Sequence, residues 1–197
     1  MKFVRQLDYP EWIYVTKTEL DEEARKDGEK TTVASSACGL CAAVMVADRL
    51  LVKYDFDLEK AMELAYRTKA NHKVGTDYKI YAPAVAELLD LKLEMTSDPE
   101  RLRYCLRTGG AAVVHCGGDK EGRIGVFSHG GHYITAVSEL EDGRIAILDP
   151  DYSDGKFDEE GRKGQVEFRG VLCIVDMEVL VEDSSTRTPS YYLFWRN

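Results

Sequence analysis

Cys38 opens the segment Cys38-Gly39-Leu40-Cys41-Ala42-Ala43-Val44-Met45, behind which Leu40, Val44, Ala47 and Leu51 recur at i, i+4, i+7 and i+11, the spacing of a helix with one apolar face. A thiol at the start of such a helix meets unpaired backbone N–H groups and the positive end of the helix dipole. Both favour the thiolate, the form that attacks carbonyl carbon. Gly39 leaves room beside the sulfur for a substrate, and the first amides of the helix suit a carbonyl oxygen that is gaining charge. Downstream, Gly130-Gly131-His132-Tyr133-Ile134 opens an apolar, strand-like run, and Asp149-Pro150 closes the next one. Cysteine, histidine and aspartate in that order read as nucleophile, general base and the group that orients the base.

Each residue also has an ordinary reading. A cysteine among apolar residues is commonly a small buried side chain, and Asp before Pro is a common strand ending. Geometry tests the combination. A two-residue turn at Asp142-Gly143 pairs Ala136 with Asp149 and puts His132 on the same sheet face, because side chains repeat every second residue. His132 is then four residues along the strand, roughly 13 Å from Asp149. Contact between the two requires a bulge, a bend or another register.

Other groups compete for these roles. Cys38 and Cys41 form a two-residue-spaced dithiol, the spacing of a redox motif or of half a zinc site. A zinc site needs a second such pair, and Cys105, His115, Cys116, His129 and Cys173 supply none. No cofactor or metal is implied. His129, three residues before His132 on the same glycine-rich approach, is the alternative base. His72 sits in a polar loop that could border a cleft but reads first as solvated surface, and His115, at a strand end, reads as structural.

The elements that must position these residues fall into two halves. Ser36 is the expected cap of the cysteine helix, which runs to about Lys53. A second helix follows Asp57, with Leu58, Ala61, Met62 and Ala65 inward; a third begins at Pro83 and ends near Asp90-Leu91. A fourth has Asp98 as cap, Pro99 at its first position and Gly109-Gly110 as its stop. The second half changes to strands at 111–116, 133–140, 144–148, 166–175 and 191–195. Helices followed by strands indicate an α+β fold with an antiparallel sheet.

Composition narrows the class. The 197 residues suffice for a single domain. With 26 basic against 35 acidic residues, a net charge of −9 and no basic face interleaved with aromatics, nucleic acid and an anionic membrane are not expected partners. The charged stretch 19–30 reads as solvated surface, helix or loop. No apolar run approaches the roughly 20 residues needed to cross a bilayer, the first residues do not build a signal peptide, and five cysteines without regular spacing fit a reducing, cytoplasmic compartment.

Cys38-Gly39 with Ala43 and Met45 behind it, Gly109-Gly110 before an apolar strand, Gly131-His132-Tyr133-Ile134 and Asp149-Pro150, in that order, resemble the bacteriocin-processing (double-glycine leader) peptidases and their stand-alone relatives, which are papain-like cysteine peptidases. The resemblance covers about residues 30–155 of a single 1–197 domain. It implies a papain-like fold, a helical half packed on an antiparallel sheet, and a thiol peptidase or related amidohydrolase acting on a peptide or protein. By matched position it implies Cys38 as nucleophile, His132 as base and Asp149 as orienting residue. The transporter-fused members usually carry glutamine six residues before the cysteine to support the oxyanion, whereas this chain has Thr32, and Leu40 where proline is frequent. Thr32 and the Cys38 backbone N–H are therefore the candidate oxyanion donors. The alternatives from other classes are a papain-like binding module without activity and a cysteine-based metal or redox site.

Overall fold

In the computed structural model, which describes residues 2–14, 31–51, 53–72 and 74–197, a seven-stranded antiparallel sheet separates two layers of helices. A helical turn α1 (Val33–Ser36) leads into α2 (Cys38–Arg49), followed by α3 (Leu58–Thr68), a small hairpin of β1 (Asn71–His72) and β2 (Gly75–Thr76), and α4 (Tyr78–Leu89). The chain continues through β3 (Leu91–Thr96), α5 (Pro99–Arg107), β4 (Ala111–Cys116), β5 (His132–Glu139), β6 (Ile145–Leu148), β7 (Glu167–Arg169), β8 (Leu172–Val175), α6 (Met177–Ser184) and β9 (Tyr191–Arg196). The sheet order is β3-β9-β4-β5-β6-β8-β7. The stretch 19–30, expected to be solvated surface, lies outside the described residues.

The central strands are apolar on both faces because both faces are covered. Ala111 and Val113 of β4 and Tyr133 and Val137 of β5 join one core with α2, α3 and α4. Ala112, Val114, Ile134 and Ala136 join a second core with Leu102 and Leu106 of α5 and Met177 and Leu180 of α6. The expected helical half is thus one of two layers. α2 is the central helix: every residue from Cys38 to Ala47 is buried.

The helix caps fall where short polar side chains meet the first turn. Asp57 Oδ1 accepts from Lys60 N–H at 2.9 Å, and Asp98 Oδ1 from Glu100 N–H at 2.9 Å, each satisfying an amide that has no partner within its helix. Three helix boundaries differ from expectation. The third helix starts five residues before Pro83, because Asp77 caps it at Lys79 N–H. Ser36 does not cap α2: it ends α1, and Ala37, at φ −104° and ψ 24°, breaks the chain between the two helices. α2 itself stops at Arg49, which leaves Leu51 73% exposed and outside the apolar face.

Register is the decisive feature of the sheet. At the hairpin end Leu140 N–H bonds the Arg144 carbonyl, so the loop has three residues and Glu139 faces Ile145. Further along, a bulge at Val137 changes the pairing from Ser138–Ala146 to Ala136–Ile147. One shift alone would move His132 and Asp149 to opposite faces, since side-chain direction alternates with every residue. Two shifts restore the face and bring Asp149 two residues closer to His132 than the simple hairpin allows. The bulge carbonyl of Val137 accepts from Arg49 Nε at 2.9 Å, which ties the last turn of α2 to the strand.

Candidate active site

Cys38 is the first residue of α2, and among the described residues the N–H groups of Cys38 and Gly39 have no backbone partner. Leu40 and Cys41 N–H both return to the Ala37 carbonyl, so Cys38 and Gly39 contribute the leading N–H groups of the helix. The Ala34 carbonyl, four residues before Cys38, accepts instead from Gln6 Nε2 at 2.7 Å. Gln6 also donates its backbone N–H to the Pro150 carbonyl at 2.8 Å, and so joins the cysteine segment to the loop after Asp149. Nothing in the sequence around Gln6 marks this role.

Gly39 serves packing rather than substrate space. A Cβ there would lie 2.9 Å from Thr76 Oγ1 and 3.2 Å from the Tyr78 ring, so β2 and α4 close directly over the helix start. The room beside the sulfur lies elsewhere, in a cleft of about 390 Å³ lined by Cys38, Thr76, Asp77, His115, Tyr133 and Arg187 among others. A larger surface groove of about 680 Å³ beside Arg101, Tyr104 and Trp195 contains none of the candidate site residues.

His132 and Asp149, both buried, meet through a 2.7 Å bond in which His132 Nε2 donates to Asp149 Oδ1. Cys38 is near enough to His132 to be among the groups that raise its pKa, so the structure brings the three side chains expected from the sequence into one region, with a hydrogen bond between His132 and Asp149. Burial alone would push the imidazole pKa down, but the Asp149 carboxylate, followed by Cys38, outweighs it and raises His132 to about 9. Asp149 has the reverse balance. Burial works against its charge, and His132 and Lys156 hold it down to about 2.

Asp149 does a second job at the same time. Its Oδ1 accepts from Asp151 N–H at 2.9 Å, the side-chain turn that an Asp at a strand end favours. Its Oδ2 accepts from Lys156 Nζ at 2.7 Å, and that lysine side chain is only 6% exposed. Lys156 also reaches the Asp151 carbonyl and carboxylate, each at 3.3 Å. This cation is missing from the sequence-level site; a single lysine in a polar loop carries no spacing that would reveal it.

The remaining candidates separate clearly. Thr32 precedes α1, pairs with Ile13 across an isolated bridge and donates its N–H to Ser35 Oγ at 2.9 Å; it does not line the cleft. His129 is exposed, with Asp119 at Nδ1 (3.0 Å) and Glu159 at Nε2 (3.1 Å). Cys41 is buried, and burial followed by the neighbouring Cys38 pushes its thiol far up. Among the described residues no group of three His, Cys, Asp or Glu side chains converges as a metal site. His72 and His115, read as surface and as structural, both line the cleft. His115 stacks on Tyr133 at 4.2 Å, and burial, then Arg187, lowers its pKa to about 3.

No protein-family model matches the sequence, and no curated protein is similar enough in sequence to match it. Solved structures do match. A Bacillus anthracis protein described as a C39-like peptidase aligns over 81% of this chain and 88% of its own, with TM-score 0.54 and 10% identity. The peptidase domain of Streptococcus ComA, a bi-functional ABC transporter involved in a quorum-sensing pathway, aligns over 81% and 91%, with TM-score 0.52 and 14% identity. The chain therefore has the papain-like fold of the C39-like peptidases. Among the described residues no helix is long and apolar enough to cross a membrane.

Proposed function

We propose that the protein is a cysteine peptidase or closely related thiol amidohydrolase, a papain-like domain in which Cys38 is the nucleophile, His132 the general acid–base and Asp149 the residue that orients and charges His132. The observation that carries the reading is the 2.7 Å His132–Asp149 bond, buried beside a cysteine that opens both a helix and a cleft. With its pKa near 9, His132 is protonated at neutral pH. It is then ready to deliver that proton to a leaving amine as the Cys38 thiolate adds to the carbonyl carbon and the C–N bond breaks. The product acyl group is held as a thioester. Water, deprotonated by the now neutral His132, attacks the thioester and expels the thiolate, and the histidine recovers its proton. The open N–H groups of Cys38 and Gly39 suit the developing oxyanion, and Thr32 would contribute by holding α1 rather than by direct contact. A peptide or protein in the cytoplasm is the substrate we expect.

The test combines reactivity with turnover. Iodoacetamide should label Cys38 first in the native protein. A peptide mixture analysed by mass spectrometry should show cleavages that vanish in Cys38→Ala and His132→Ala and persist in His129→Ala. A reactive Cys38 with no cleavage of any peptide would favour the binding-module reading. Equal loss on Cys41→Ser and Cys38→Ser, with stoichiometric zinc in the purified protein, would favour a metal site.

A further inference from the structure

Arg187 is a cation lining the cleft that forms no salt bridge among the described residues. It lies in the loop between α6 and β9 and lines the same cleft as Cys38. Its backbone is clamped, with its N–H on the Ser184 carbonyl at 3.0 Å and its carbonyl accepting from Ser190 Oγ at 2.8 Å. Among the described residues the guanidinium makes one hydrogen bond, from Nη2 to the Gly117 carbonyl at 3.3 Å, while Nε is buried without a partner. Nη2 sits 2.9 Å from where a Cβ of Gly131 would be, so the glycine before His132 is the surface on which the guanidinium rests.

The surrounding groups leave that charge available. On the sheet side of the cleft His115 is held neutral and Tyr133 is uncharged at neutral pH. The carboxylate lining the cleft, Asp77, belongs to the helical side and is occupied in capping α4 through Lys79 N–H at 3.0 Å. Among the described residues no acidic side chain forms a salt bridge with Arg187. The guanidinium lines the cleft with the Gly117 carbonyl as its one acceptor among the described residues, and a carboxylate fits the guanidinium fork.

We propose that Arg187 selects substrates carrying a carboxylate close to the bond that Cys38 attacks, either an acidic side chain or a free C-terminus. This rests on the hydrolase reading for its bond-breaking step but not for its recognition step, and the two are tested apart. Alkylation of Cys38 is timed with iodoacetate and with iodoacetamide, which differ in charge at nearly equal size. The iodoacetate-to-iodoacetamide rate ratio should fall by roughly fivefold or more in Arg187→Gln, stay near the native value in Arg187→Lys, and shrink with added salt in the native protein. A ratio unchanged in Arg187→Gln overturns the proposal and leaves the hydrolase reading standing. A Cys38 inert to both reagents sinks the hydrolase reading instead. In that case binding to the Cys38→Ala protein decides. Of acetylated Ala-Ala-Glu amide, Ala-Ala-Gln amide and Ala-Ala-Gln acid, the first winning points to an acidic side chain and the third to a C-terminal carboxylate. Loss of that preference in Arg187→Gln supports the proposal, and equal or absent binding of all three overturns it.

Discussion

Asp149→Asn is the sharpest perturbation of the site, because the amide is the same shape and still cannot fit. His132 Nε2–H and Asp151 N–H both donate to Oδ1, so the amide oxygen must take that position. The amide nitrogen is then turned toward Lys156 Nζ, which is 2.7 Å from Oδ2 in the native protein. Donor faces donor in a buried space, and Lys156 keeps only its 3.3 Å contacts to Asp151. Moving the buried His132 from its ordinary 6.5 to about 9 corresponds to roughly 3 kcal/mol of preference for imidazolium, at about 1.4 kcal/mol per tenfold change. Breaking a buried ion pair from one side costs about 3–5 kcal/mol. The two figures share one carboxylate and do not add, so the expected loss of stability is about 3–5 kcal/mol.

The pH dependence fixes the sign. The folded pKa of His132 is raised to about 9, so its contribution is fully present below about 6.5 and is lost as pH rises through about 9. The folded pKa of Asp149 is lowered to about 2, so its contribution is present above about 3.8 and is lost as pH falls through about 2. The stability gap between native and Asp149→Asn protein should be widest from about pH 4 to 6.5 and narrower, though not zero, at about pH 9.5, where the contact with Lys156 still differs. Urea unfolding across pH measures the gap, and NMR titration of the imidazole reads His132, which should fall well below 9 once the carboxylate no longer supports its charge against burial. Adding Lys156→Met to Asp149→Asn should recover part of the stability without restoring the imidazole. A gap under about 1 kcal/mol near pH 6, or a His132 still titrating near 9 in the variant, would refute this account of the site.

Further expectations follow from the same contacts. Gly39→Ala should lower stability by about 1–3 kcal/mol, because its Cβ would press on Thr76 Oγ1 at 2.9 Å; thermal unfolding should show the loss and its partial relief by Thr76→Ala. Arg49→Met leaves the Val137 carbonyl without its donor, at a cost of about 1–3 kcal/mol, and should speed amide exchange around the bulge and slow peptide cleavage together; exchange unchanged from native would show that the bulge stands without the arginine. Cys41, Cys105, Cys116 and Cys173 are buried, and burial raises all four thiols, Cys105 and Cys173 to about 12. Mass spectrometry should find them unlabelled in the native protein and labelled after denaturation.

What the sequence reveals about this fold is confined to local signals. Asp57 and Asp98-Pro99 mark helix starts because a cap acts over three residues. Leu91–Thr96 is different. As an edge strand it pairs only with β9, a hundred residues away, and no turn announces that pairing. The 166–175 run splits into two strands at Gly170, where φ is +65°, a position that favours glycine. The site divides in the same way. Cys38, His132 and Asp149 stand out by residue type beside glycine and proline, whereas Gln6, Lys156, His115 and Arg187 reach the site through long-range packing that leaves no periodic trace.

The distance between His132 and Asp149 shows most clearly why reading stops where it does. Side-chain parity, a property of any strand, already places the two on one face. Reach depends on two one-residue shifts, in the Leu140–Arg144 loop and at Val137. The second is held by a donor from another element, Arg49, at the end of α2. The first residue of that helix is Cys38. One helix therefore presents the thiol at its start and, through Arg49 at its end, secures the register of the strand that begins at His132, so that any motion of α2 relative to β5 disturbs the placing of Cys38 and His132 together.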